Sequence, residues 1–244
     1  MSRRFFANSP IRGEQFLLDG PEAHHLVHVM RAAVGDQVIL FDGSGYEFDG
    51  IIREISRKQV LIGITAKRFV DRELAIQLTM AVSLPKGERQ KILIEKLVEI
   101  GTTRLVPLLS DRGVAKAEKN VVARLERTVL EACKQCGRNV LMSIEQPQRS
   151  TEFFEQSSEK AMRLLALPEA IESISKVVPG GASFDQRYFV CAVGPEGGFT
   201  ESEIESATRN GWRAVNLGRS ILRAETAAIV MAGYLSLGNV SGTM

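Results

Sequence analysis

Val193-Gly194-Pro195-Glu196-Gly197-Gly198-Phe199-Thr200 follows the apolar run Tyr188–Val193 and leads into a segment headed by Thr200 and Glu203. The apolar run is a strand, and T-x-x-E is the capping box that opens a helix, so the stretch reads as strand, glycine turn, helix. Three glycines in five residues let the backbone turn sharply and approach a ligand closely. Strand-to-helix turns of this kind are common seats for nucleotide-like ligands. The spacing is neither G-x-G-x-x-G nor G-x-x-x-x-G-K-[ST], and no lysine stands ready for a β- or γ-phosphate. Glu196, in mid-turn, disfavours a polyphosphate and suits a cationic or neutral ligand. On the glycines alone, a turn that merely connects two elements remains open.

Downstream the pattern repeats. Leu217-Gly218-Arg219-Ser220-Ile221-Leu222-Arg223-Ala224-Glu225-Thr226-Ala227-Ala228 again runs from a strand through a glycine into a helix. Leu217, Ile221 and Leu222 can wall a flat ring while loop backbone groups bond its edge. Arg223 and Glu225 stand beside that wall, where a structural ion pair is the competing reading.

Upstream, strands and helices alternate. Ile76–Val82, Arg104–Leu109, Arg163–Leu167, Tyr188–Val193 and Arg213–Leu217 read as strands. Gly87–Ile100, stopped by Gly101, Ala117–Cys136, closed by Gly137, Glu201–Asn210 and Ala224–Leu237 read as helices. That alternation predicts an α/β domain with a mainly parallel sheet. The first seventy residues differ. Pro21 and Glu22 suit a first helical turn, and Ala23, Leu26, Val27, Met30 and Val34 fall on one helical face before Gly35-Asp36. Strand-like runs Gln37–Phe41, Glu47–Ile55 and Gln59–Thr65 follow with tight turns, which predicts a compact barrel. The boundary falls near Val70–Glu73, giving domains 1–71 and 72–244, with Gly238–Met244 as a frayed tail.

The 244 residues are 44% hydrophobic and 25% charged, ordinary for a soluble globular chain, with a net charge of +2. Mapped along the chain, the charge is uneven. Residues 86–138 hold twelve basic and seven acidic side chains, whereas 139–244 hold nine and twelve. The middle third can therefore attract a phosphate backbone, although solvated helix faces explain the excess equally well. The N-terminus lacks the apolar run of a signal peptide, no stretch is long enough to span a bilayer, and three cysteines make no disulfide framework. A cytoplasmic location is expected. Cys133 and Cys136 are spaced like half a zinc site that nothing completes. His24 and His28 form an i, i+4 pair without an acidic or sulfur partner at ligand spacing, so no metal is expected.

The two glycine-bearing segments resemble the cofactor loops of the SPOUT methyltransferases, and more narrowly those of the ribosomal RNA small subunit methyltransferase E family. The resemblance runs along nearly the whole chain. It includes Arg3-Arg4-Phe5-Phe6, His24-His25-Leu26, Val29-Met30-Arg31, Gly35-Asp36, Lys86-Gly87, Lys96–Gly101, Glu131-Ala132 with Gln135 and Arg138, Gly194–Phe199, and Leu217-Gly218 through Ala227. Departures are mild: Met30 and Ile100 stand where leucine is usual, and Ala224 where threonine is frequent.

The resemblance implies an N-terminal PUA-like β-barrel that binds RNA and a C-terminal SPOUT-type α/β domain with a deep trefoil knot, a topology that connection rules would otherwise exclude. It implies S-adenosyl-L-methionine as methyl donor, N3 of a uridine in 16S ribosomal RNA as acceptor, a homodimer, and a substrate within the small ribosomal subunit. Carried over by position, the cofactor residues are Leu167, Gly194, Pro195, Glu196, Gly197, Gly198, Leu217, Gly218, Ile221, Leu222 and Ala227. Charge beside those loops nominates Arg223, then Arg138, to stabilise an acceptor anion, and Glu196 or Glu225 to accept its proton. Arg3, Arg4, His24, Arg31, Lys86, Arg89 and Arg112 are the candidate RNA contacts. Two alternatives stay open: a non-catalytic RNA-binding assembly factor, and a SPOUT enzyme acting on another RNA position.

Overall fold

The computed structural model describes residues 3–113, 120–156, 160–179 and 186–237. The chain divides into two units, Met1–Glu73 with Leu130–Leu141, and Leu74–Val129 with Met142–Met244. A single cut after residue 71 does not contain this division, because Leu130–Leu141 counts with the N-terminal unit. Its polar groups show why: Lys134 Nζ binds Glu22 at 2.9 Å, and the Gly137 carbonyl accepts from Arg4 at 3.1 Å and Arg72 at 2.8 Å.

In the N-terminal unit, β1 (Arg4–Phe6), β2 (Gln15–Asp19), β3 (Gln37–Phe41), β4 (Tyr46–Ile55) and β5 (Gln59–Phe69) form one sheet in the order β1-β3-β4-β5-β2. β1 lies parallel to β3, and the other pairs are antiparallel. Register shifts at Asp49/Gly50 and Ile52/Glu54 mark bulges in β4, which curl a sheet. Phe5, Leu18, Leu26, Leu40, Ile52 and Ile62 fill the core. β1 and β2 were not expected: β1 has three residues, and in β2 the exposed Leu17 between buried Phe16 and Leu18 hides the alternation in a run of three apolar residues.

The early helix is shorter than the apolar stripe suggests. α1 (Gly20–His24) passes into a π-helical turn, His25–Val29, where the Met30 N–H bonds the His25 carbonyl at 2.9 Å. Arg31 then turns the chain with φ 51°. Ala23 and Leu26 are buried and Val27 and Met30 pack against the core, but Val34, past the helix end, is exposed.

The C-terminal unit contains β6 (Gln77–Val82), α2 (Glu88–Ile100), β7 (Arg104–Leu109), most of α3 (Val121–Cys136), β8 (Ser143–Ile144), β9 (Gln148–Arg149), α4 (Ser150–Glu155), β10 (Met162–Ala166), α5 (Ile174–Val177), β11 (Tyr188–Val193), α6 (Glu201–Arg209), β12 (Arg213–Val215) and α7 (Ala224–Leu237). Its strand order is β12-β10-β11-β6-β7-β8, every pair parallel, with β9 also on β7. Leu78, Met80, Ala81 and Val82 of β6 are fully buried, as strands covered on both faces require. Cys191 of β11 is fully buried, and that burial pushes its thiol pKa up. The expected mixed α/β architecture with a parallel sheet is present. Of the expected helix Ala117–Cys136, the first three residues lie outside the described set, as does the tail Gly238–Met244.

Candidate functional site

The carboxyl ends of β10, β11 and β12, three neighbouring parallel strands, surround a cavity of about 270 Å³. Ligands in open α/β sheets bind at this edge. The turn after β11 forms one wall. Gly198 has φ 69°, and Gly218 on the opposite wall has φ 130°, backbone that side chains beyond glycine rarely adopt. The Gly194 Cα faces the Phe199 ring, where an added Cβ would sit 3.0 Å away. Phe199 in turn packs edge-on against Phe154 at 5.5 Å, and Phe154 against Trp212 at 5.1 Å. An aromatic cluster thus supports the turn from below.

Hydrogen bonds hold the same turn from the side. Thr200 and Glu203 form the expected capping box at the start of α6. The fully buried Glu203 carboxylate also accepts the Asp111 N–H at 3.1 Å and the Ser150 hydroxyl. Arg112 donates to the Gly197 carbonyl at 3.0 Å. The segment after β7 therefore clamps the turn after β11.

Leu167, Gly194, Pro195, Glu196, Gly197, Gly198, Leu217, Gly218, Ile221, Leu222 and Ala227 all line the cavity, so the structure brings the eleven expected positions together. Glu169 is a lining residue that sequence reasoning missed. Its signal was its place just beyond the β10 end, in Leu167-Pro168-Glu169. The lining holds two carboxylates, Glu169 and Glu196, and no lysine or arginine. Ile221 lines the cavity yet remains 86% exposed.

The charged candidates separate. Glu196 pairs with Arg89 of α2 at 2.7 Å. That hydrogen bond, a backbone N–H and the nearby charges of Arg89 and Arg223 hold its carboxyl below the ordinary glutamate range. Such a carboxylate is a weaker proton acceptor. Arg223 is exposed, just before α7. Glu225, in the first turn of α7, is buried, and its Oε2 has no hydrogen-bond partner among the described residues.

Arg138 belongs to the N-terminal unit, where Glu73 holds its guanidinium at 3.0 and 2.5 Å. Like Arg223 and Glu225, it is not among the residues that line the cavity. Of the expected RNA contacts, Arg4 departs most from a surface role. It is 6% exposed and donates to Glu47 at 2.5 Å and Asn139 at 2.7 Å. Burial works to raise the Glu47 pKa, but the hydrogen bonds from Arg72 and Arg4 override it and the net shift is downward. Arg3 pairs with Asp36 at 2.8 Å on the surface. His24 stacks near His28, ring centroids 4.6 Å apart, beside Arg57 and Lys58. Among the described residues, no group of three or more His, Cys, Asp or Glu side chains can hold a metal ion, and no helix is long and apolar enough to cross a membrane.

Residues 72–236 match the RNA methyltransferase domain family, and residues 18–65 the RNA methyltransferase PUA domain family. The curated "Ribosomal RNA small subunit methyltransferase E" of Synechocystis is 30% identical over 216 residues, covering 88% of this chain and 70% of that protein. The chain belongs to the ribosomal RNA small subunit methyltransferase E family. Among solved structures, the methyltransferase E of Neisseria gonorrhoeae bound to S-adenosyl methionine matches with a TM-score of 0.85 and 26% identity, over 95% of each chain. A Legionella pneumophila protein described as a methyltransferase with bound cofactor SAM matches with a TM-score of 0.87 and 28% identity, over 96% of this chain and 97% of its own. The chain thus shares its architecture with two proteins solved with S-adenosylmethionine bound.

Proposed function

We propose that the chain transfers a methyl group from S-adenosylmethionine to N3 of a uridine in 16S ribosomal RNA. The observation that carries the cofactor assignment is the cavity lining: backbone turns, apolar walls, two carboxylates and no basic side chain. A polyphosphate would be repelled there, whereas a ligand with a sulfonium and an ammonium is attracted. Bound S-adenosylmethionine supplies an electrophilic methyl on a positively charged sulfur and leaves as a neutral thioether. Leu167, Leu217 and Leu222 give apolar surface for its ring, and the Gly194–Gly198 and Gly218 turns bring backbone groups close. In this reading the C-terminal segments thread a trefoil knot, the N-terminal sheet is a PUA-like barrel, and the enzyme is a homodimer acting on the small subunit.

The proposed acceptor atom, uracil N3, sets the chemistry. Uracil N3 bears a proton and is a poor nucleophile at neutral pH, so the proton must leave as the N3–methyl bond forms. Glu225 suits that proton better than Glu196, because one buried oxygen has no donor while Arg89 occupies the Glu196 carboxylate. Arg223, exposed within the Leu217–Thr226 segment, meets the charge that develops on a flanking carbonyl. Two measurements test the reading together. Calorimetry should show S-adenosylmethionine binding to wild type and Arg223→Ala alike. Mass mapping of 16S RNA incubated with each should show N3-methyluridine from wild type, and a rate lower by roughly 10²–10³ from Arg223→Ala. Absence of cofactor binding to wild type sinks the reading, and a methyl group on another atom removes the uridine-N3 assignment.

A further inference from the structure

A second concavity opens on the same edge of the sheet. It measures about 600 Å³ and lies at the carboxyl ends of β6 and β7, between the start of α2 and the first half of α3. β6 is the direct neighbour of β11, so the groove adjoins the cavity along the strand order β12-β10-β11-β6-β7. Neighbouring strands lie roughly 5 Å apart, which puts the two openings within one nucleotide's reach of each other. The Arg89–Glu196 pair bridges them, joining the first turn of α2 to the cavity wall.

The groove's chemistry is the inverse of the cavity's. Its lining includes Lys86, Lys91 and Arg124 and no acidic residue. All three cations are exposed. Lys86 makes no ion pair with a described residue, and Lys91 reaches only Glu95, at 3.9 Å. Arg124 donates to Gln90 Oε1 at 3.0 Å, which braces α3 against α2 at the rim. The floor is apolar and holds three prolines, Pro85, Pro107 and Pro147. Rigid apolar faces under a rim of cations match a single nucleic-acid strand, whose bases are flat and whose backbone is anionic. Uridine N3 is hidden in a duplex, so an enzyme acting on it needs a strand presented unpaired.

We propose that this groove seats a single-stranded RNA segment next to the acceptor uridine, with Lys86 and Lys91 on its phosphates and the proline floor against a base. This rests on the methyltransferase reading above, and adds where the acceptor strand lies.

The test compares wild type with Lys86→Gln/Lys91→Gln, and with Lys176→Gln, which removes one positive charge elsewhere on the unit. Binding of a labelled single-stranded 16S fragment is followed by anisotropy over a salt series, alongside methylation kinetics and S-adenosylmethionine calorimetry. The double variant should raise the RNA Kd and KM about tenfold and flatten the salt slope by about 1.4, two single-strand phosphate contacts, with kcat and cofactor Kd unchanged. Lys176→Gln should change none of these. An unchanged slope and KM in the double variant overturns the proposal. So does a defect seen only with assembled subunits and not with the naked fragment, which assigns the groove to a ribosomal protein. Failure of the methyltransferase reading is separately visible, as absence of cofactor binding by wild type while the salt slope still reports on the groove.

Discussion

The cavity over β10–β12 and the groove over β6–β7 stand side by side on one sheet edge, yet one is lined by two carboxylates without a base and the other by three bases without a carboxylate. The sheet supplies the same geometry to both. The charge is set by side chains around that edge, Glu169 and Glu196 in loops beside the cavity, and Lys86 in a loop with Lys91 of α2 and Arg124 of α3 around the groove. This explains how a chain with a net charge of only +2 can serve a cationic cofactor and an anionic polymer. The two fields are kept apart locally, and bulk charge decides neither.

The comparison is broken most severely by removing what supports one side of it. Phe154 is fully buried beneath Phe199 and against Trp212. Phe154→Ala should lower stability by about 3–5 kcal/mol, read by urea unfolding. A loss below 1 kcal/mol means that the aromatic cluster does not carry the turn after β11. A smaller effect is expected from inverting the cavity's charge. Glu196→Lys should weaken S-adenosylmethionine about tenfold or more by calorimetry, ~1.4 kcal/mol, without weakening binding of the RNA fragment. If both ligands weaken equally, the two openings are not electrostatically separate.

The smallest effect concerns the bridge between them. The Glu196 carboxyl titrates below the ordinary glutamate range because Arg89 hydrogen-bonds its ionised form. A depressed carboxylate stabilises the fold above its unfolded pKa, and that contribution is lost as pH falls through the folded value. The Glu196 side chain is 45% exposed, so solvent screening keeps the energy small. Arg89→Gln should move the Glu196 midpoint up toward the ordinary glutamate value, followed by carbon-13 NMR of the side-chain carboxyl. No movement means that Arg89 does not hold Glu196 in solution.

How legible these features were in the sequence depended on whether neighbours in space were neighbours in the chain. Arg104–Leu109, Tyr188–Val193 and Ala224–Leu237 were readable to the residue, being apolar runs bounded by caps and glycines. Most of the cavity-lining positions were readable because they fall in two contiguous stretches that match a family pattern. Glu169 was missed because it belongs to neither. The groove was invisible: Pro85, Pro107, Leu125 and Pro147 come from four segments that only the fold assembles. Arg4 was expected to meet RNA and Arg138 to stabilise an acceptor anion, both from patterns of neighbouring residues in the chain, whereas their partners Glu47 and Glu73 lie far off in sequence and bind them inside the N-terminal unit. The π-helical turn at His25–Val29 leaves no mark in a periodicity of 3.6 residues except a stripe that overruns its end at Val34.

Cys191 lies in β11, three residues before Gly194, and its sealed, protonated thiol is chemically silent while the sheet is closed. It can react with an alkylating reagent only after β11 has parted from β6 or β10. In a background with Cys133 and Cys136 replaced, the labelling rate of Cys191 becomes a clock for strand separation directly behind the cofactor turn. A ligand seated on that turn should slow the clock by the factor with which it holds the sheet shut.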